Sequence, residues 1–153
     1  MNFFPPLWKK PEATVIEWEL EGVLFDTDMR AAFRDHLAAQ MAEESLDFLT
    51  ATDGPYLHRL DYIIQTFIVG TGNNPPINIA GVTRKQILDE VAHLRGAGLR
   101  GAVNYRRLQT AIVAARGECR ALIEHNFLAA FRNSDAYREV RDRRAEMGRA
   151  LGL

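Results

Sequence analysis

Apolar residues in this chain recur at intervals of three and four almost from end to end, and period-two alternation is rare. That spacing lines up side chains on one face of a helix and cannot do so on one face of a strand. It points to an all-helical domain. At 153 residues the chain has the size of one compact unit. A chain this long buries about 68–70% of its unfolded surface, so packing alone can hold it together. Cys119 is the only cysteine, which excludes an intrachain disulfide and a Cys-rich zinc cluster.

Pro5, Pro6 and Pro11 keep the first dozen residues extended. Residues 1–13 therefore read as an arm bearing Phe3, Phe4, Leu7 and Trp8, ahead of a single helical domain over 14–149. A first helix is expected from Thr14 to Leu24, with Val15, Trp18 and Val23 inward. A second follows Asp26, capped by Asp26 or Asp28, with Met29, Phe33, Leu37 and Met41 as its inner stripe. A third opens at Glu43, buries Leu46, Phe48 and Leu49, and stops before Asp53-Gly54-Pro55. A fourth covers Tyr56 to Val69 with Leu57, Leu60, Ile64, Phe67 and Ile68.

The segment GTGNNPPINIAGV, Gly70 to Val82, breaks the helical pattern. Its paired prolines and its glycines mark an ordered loop, in which Ile77 and Ile79 bracket Asn78 and hold its amide outward. Thr83, with Gln86 three residues on, forms a capping box for a short helix carrying Ile87, Val91 and Leu94. A long helix runs from about Asn104, with Leu108, Ile112, Ala115, Cys119, Leu122 and Ile123 inward. The last spans about Asp135 to Arg149, capped by Ser134, with Tyr137, Val140 and Met147 buried.

Net charge is −1, which argues against a polybasic nucleic-acid binder. The distribution is uneven: residues 12–61 carry twelve acids and three arginines, whereas residues 62–153 carry eight acids and fourteen basic side chains. Either acidic early helices pack beside basic late ones, or an acidic face awaits a basic partner. No apolar run approaches the ~20 residues of a membrane span, and the N-terminus lacks the plan of a signal peptide. A soluble, cytoplasmic protein is expected.

The chemical signals are sparse. His36, His58, His93 and His125 fall on different helices with no H-x-x-x-H pair, so a zinc hydrolase has little support. Cys119 reads as a buried structural thiol. Glu43 and Glu44 open a helix, where the macrodipole favours them, and adjacent helical residues diverge by about 100° instead of facing one pocket. GTGNNPP lacks the lysine of a phosphate loop. Arg138, Arg141, Arg143, Arg144 and Arg149 alternate with Glu139, Asp142 and Glu146 as solvated helix pairs. Neither a metal nor a cofactor is expected.

Three segments, in order, resemble the regulator of G-protein signalling (RGS) domain family. The first is FDTDMRAAFRDHLAAQMAEESLDFLTA, with Met29, Arg30, Phe33, Leu37, Glu43, Glu44, Leu46 and Phe48 on the family's pattern. The second is PINIAGVTRKQI, carried by Ile77, Asn78, Ile79, Thr83, Arg84 and Ile87. The third is ALIEHNFLAAFRNSDAYREV, placing Leu122, Ile123, Glu124, Phe131, Ser134 and Tyr137. Together they run from about Val15 to Val140. Sixteen Arg against three Lys, with twenty Ala, point to a GC-rich source such as a bacterium.

The resemblance implies a two-lobed bundle of about nine helices. It also implies a module that activates the GTPase of Gα subunits by holding their switch loops, without supplying a catalytic side chain. Glu43, Glu44, Asn78 and Leu122 keep the family's contact residue types. Ser45 stands in place of an asparagine, Leu49 of a tryptophan, Ala80 of an aspartate, and Asn126 and Ala130 of an aspartate and an arginine. The partner-binding set implied is thus Glu43, Glu44, Ser45, Asn78, Leu122 and Asn126. With the core better kept than the contacts, the first expectation is a non-catalytic protein-interaction module of unknown partner. The alternative is an activator of a Gα subunit or another GTPase.

Overall fold

The computed structural model describes residues 17–97 and 102–153, and among these every regular element is helical. The expected arm, residues 1–13, lies outside the described residues, as does Val15. Glu17, Trp18 and Glu19 are not helical, so the first helix, α1 (Leu20–Phe25), starts later than its spacing predicts. The reason is tertiary. The Trp18 N–H donates to the Tyr137 hydroxyl at 2.9 Å, and its carbonyl accepts from Arg132 Nε and Nη2 at 2.8 and 2.6 Å. Backbone groups held this way are not free for a helical ladder.

Helix α2 (Thr27–Ala38) is capped by Asp26, whose carboxylate accepts from the Asp28 and Met29 N–H groups. The same carboxylate meets Arg144 of the last helix at 2.9 Å. Met29, Phe33 and Leu37 are fully buried, as their spacing requires. Met41 is not: α2 has ended, its backbone is left-handed at φ 54°, and 87% of it is exposed. Helix α3 (Glu43–Ala51) buries Leu46, Phe48 and Leu49.

A short 3₁₀ turn, Leu57–Arg59, leads into α4 (Leu60–Ile63), which continues without a break as a π-helical turn, Ile64–Val69. The tighter 3₁₀ winding turns Leu57 outward, 40% exposed, against the expectation of an inner residue. Helix α5 (Gly81–Ala97) starts before Thr83 and is long, so Thr83 lies inside its first turn and is not its cap. Helix α6 (Ala102–Ile123) runs through a second π-helical turn, Glu124–Leu128, into α7 (Ala129–Arg132). Helix α8 (Asp135–Ala150) is capped by Ser134, whose hydroxyl accepts the Tyr137 N–H at 3.2 Å. Tyr137 and Val140 are buried, but Met147, further along, is half exposed.

Counted as continuous rods, the described residues form seven helices, against about nine expected. Helix α6 packs on α3 and α5, while α2 touches α1, α3 and α8. One contiguous core results, with Phe33, Phe48, Phe131 and Tyr137 as its largest members. No helix of the described residues is long and apolar enough to cross a membrane.

The charge asymmetry resolves into pairs across the chain. Arg120 binds Glu21, Arg144 binds Asp26 and Asp28, Arg132 approaches Glu17, and Arg95 meets Asp61. Arg144 therefore does not pair with acids of its own helix, as the alternation in the last segment predicts; Arg138 and Arg141 do, with Asp135 and Asp142.

Candidate functional site

At the start of α3 the chain opens a cleft of about 740 Å³. One wall is the helix tip, with Glu43, Glu44 and Asp47; the other is the loop, with Asn73, Asn74 and Pro75. Met41 and Tyr62 supply exposed apolar surface at its edge. Glu43 and Glu44 thus line one cleft, contrary to the divergence expected of neighbours on a helix. An open cleft is wide enough to take both side chains.

Among the described residues neither Glu43 nor Glu44 has an ion-pair partner, and Glu43 Oε2 is shielded from solvent without a hydrogen-bond donor. The cleft's two arginines are engaged elsewhere. Arg34 grips Asp47 through two bonds of 2.6 and 2.7 Å, and Arg59 donates to the Ala51 carbonyl at the end of α3. Burial raises the Glu44 carboxyl above its ordinary range, and the charges of Glu43 and Asp47 add to the rise. A raised pKa means the folded state holds a proton that the unfolded chain releases, so Glu44 lowers stability as pH climbs through that window. Glu44→Gln is expected to be more stable than the parent at pH 7, by less than about 1 kcal/mol because the group is partly solvated. The gain should vanish below the ordinary carboxyl value of 4.5, as read by urea unfolding at several pH values.

The loop that faces this tip is held at both ends. The Ile77 N–H donates to the Phe67 carbonyl at 2.8 Å, and Arg84 donates to the carbonyls of Ile77, at 2.7 Å, and Ile68. Ile77 is fully buried and Ile79 nearly so, which leaves Asn78 between them exposed. Gly70 enters the loop at φ 82°, where a Cβ would lie 2.7 Å from Pro76 Cδ and 2.9 Å from Pro76 N. Gly70→Ala is accordingly expected to cost about 1–3 kcal/mol, the scale of a strained backbone position, measured as a shift in urea midpoint. At the far end the carboxylate of Glu118, from α6, accepts the Ala80 N–H at 2.6 Å and the Thr83 hydroxyl.

The remaining candidates divide. Leu122 is half-buried on α6, and Asn126 is exposed within the second π-helical turn, as is Ala130 just beyond it. Ser45 is fully buried, so it cannot contact a partner; its position on α3 turns it toward the core beside Cys119. Burial pushes the Cys119 thiol up to about 11, and the charges of Glu118 and Glu44 contribute to that rise. The helix that anchors the loop through Glu118 is thus the same one, α6, on which α3 packs. Asn78 itself does not line the cleft; the loop residues that do are Asn73, Asn74 and Pro75.

Met41, Tyr62, Asn73 and Glu118 escape a reading of the sequence. Met41 extends a fours pattern past the end of its helix, and Glu118 reaches a loop thirty-eight residues away. His36 packs on Phe131, with ring centroids 5.5 Å apart, and burial lowers its pKa; the other three histidines are exposed. Among the described residues no three His, Cys, Asp or Glu side chains gather as a metal site would need. No protein-family model matches this chain, and a search of curated proteins finds no match.

Proposed function

We propose that this chain is an RGS-like protein-interaction module, not itself an enzyme, that docks its partner on the cleft between the α3 tip and the Asn78 loop. The observation that carries this reading is the charge left over at the tip. Acids of the first half of the chain pair with arginines of the second half on α1, α2 and α4; Glu43 and Glu44, like Glu19, Asp35 and Asp53 elsewhere, make no ion pair among the described residues, but only these two sit side by side in a cleft. Unpaired carboxylates beside exposed Met41 and Tyr62 suit a partner segment with a basic side chain next to an apolar one. The RGS-like arrangement in two lobes is part of the same proposal: chain ends joined through Trp18, Arg132 and Tyr137 form one lobe, and α3 to α6 the other. A cytoplasmic location and a lack of nucleic-acid binding belong to this reading as well.

Association with the partner is expected to slow as salt rises, because exposed charges are screened within about 10 Å at 0.1 M. Affinity purification with the whole chain, followed by mass spectrometry, names the partner. Loss of the captured protein on Glu44→Lys supports the reading, and unchanged capture contradicts it.

A second reading, activation of a GTPase, draws on the Asn78 amide, held outward on two buried isoleucines and so already ordered before any partner arrives. Single-turnover GTP hydrolysis by Gα subunits and small GTPases, with the domain in excess, separates the two. No acceleration at saturation removes the second reading and leaves the first.

A further inference from the structure

The start of α5 lacks a local cap. Ala80 precedes the helix, and its carbonyl accepts the first helical bond from the Arg84 N–H at 3.0 Å, but its methyl group offers no acceptor to the N–H groups of the first turn. In a capping box, the carboxylate three residues into the helix reaches back to the N–H of the capping position. Here that third position is Thr83, whose side chain is too short to reach back. Glu118 of α6 stands in for it. One oxygen takes the Ala80 N–H at 2.6 Å, and the other takes the Thr83 hydroxyl, which holds the carboxylate in place. The box is split between two helices.

This split has a consequence for the loop. Arg84 holds its entry at the Ile68 carbonyl and reaches the Ile77 carbonyl just before Asn78; beyond Asn78 the chain is fixed by the buried Ile79 side chain and by Glu118 on the Ala80 N–H. Glu118 also stands one residue from Cys119, which lies against Ser45 of α3, and one helical turn before Leu122. A single segment of α6 thus joins the loop to the helix bearing Glu43 and Glu44.

We propose that Glu118 is the positioning residue for Asn78: by capping α5 from α6 it sets the course of residues 78–80 and locks the loop to the acidic tip. This inference rests on the docking-face reading for its functional half, while its structural half can be read with no partner present. Glu118→Ala should speed amide hydrogen exchange at least tenfold at Ala80, whose N–H it accepts, and at Arg84, whose N–H bonds the Ala80 carbonyl, with α8 amides unchanged. Glu118→Gln should stay near the parent, since its carbonyl can accept the Ala80 N–H while its amide donates to the Thr83 hydroxyl. Adding Ala80→Asp to Glu118→Ala recaps α5 from within, through the N–H groups of Val82 and Thr83, and should restore slow exchange at Arg84 while residue 80 itself stays fast. Should Glu118→Ala not fold, Thr83→Val, which removes only the hydroxyl, is expected to accelerate exchange at the same amides by a smaller factor.

On the captured partner, Glu118→Ala should weaken binding about tenfold, and Ala80→Asp in the same chain should recover most of it. Unchanged exchange in Glu118→Ala and Thr83→Val overturns the split cap. Faster exchange with unaltered partner binding overturns the positioning role. A parent chain that captures no partner is a failure of the docking reading alone, and the exchange measurement then still decides whether Glu118 holds the loop.

Discussion

Replacing Asn78 with alanine is expected to weaken partner binding at least tenfold while leaving thermal stability within about 0.5 kcal/mol of the parent, the usual range for an exposed position. The two halves of that result have separate causes. Asn78 is exposed, and the buried anchors Ile77 and Ile79, with the carbonyls that Arg84 grips, all remain in the variant. The fold therefore loses little. A docking face, by contrast, concentrates its binding energy in a few residues, and truncating one commonly costs about 2 kcal/mol or more. If the partner proves to be a GTPase that this chain activates, the same variant should lose most of the acceleration. Circular dichroism melting and titration calorimetry on one preparation check both halves. A variant that binds like the parent removes Asn78 from the face.

Phe131→Ala is the converse case, with a large expected cost to the fold. Phe131 is fully buried where α7 meets α2 and α8, and its ring lies 4.9 Å from Phe33 and 5.4 Å from Tyr137 between centroids. Truncating a buried phenylalanine costs about 3–5 kcal/mol through lost transfer energy and the cavity left behind. Loss of the aromatic pairs falls within that figure or adds about 0.5–1.5 kcal/mol. Against a typical domain stability of about 5–15 kcal/mol, such a loss brings the variant close to unfolding at physiological temperature. Phe25→Ala is the control: Phe25 is 90% exposed, and its truncation should move the urea midpoint very little. Equal effects of the two changes would contradict the core assignment.

Much of the core is legible in the sequence because helical spacing reports a face directly. Phe33, Leu37, Phe48, Ile87, Val91 and Leu94 are buried where their intervals place them. The same logic fails where the backbone departs from 3.6 residues per turn. Ile63 and Ile68 are both buried five apart across one π-helical turn, as are Ile123 and Leu128 across the other, and no regular spacing anticipates such an inserted residue. Met41 fails for a neighbouring reason: a fours pattern gives no notice that the helix has stopped and turned left-handed.

Of the candidate site, the outward amide of Asn78 and the acidic tip at Glu43 and Glu44 follow from local pattern. Ser45 does not, since its resemblance to a contact position outweighs a helical phase that puts it inside, against Cys119. Nor does Glu118. Capping rules are local, and a carboxylate arriving from another helix leaves a capping-box pattern at Thr83 and Gln86 that is not the one used.

The central claim is that tip and loop form one docking surface, and photo-crosslinking in the native host tests it whatever the partner turns out to be. A photoreactive phenylalanine analogue is placed separately at Met41, which lines the cleft, at Asn78, further along the loop that forms its other wall, and at Val113, an exposed residue of α6 outside the cleft lining. Adducts at positions 41 and 78 with one and the same protein, and none at 113, are the predicted result. Adducts with different proteins at 41 and 78, or none at either, would contradict it.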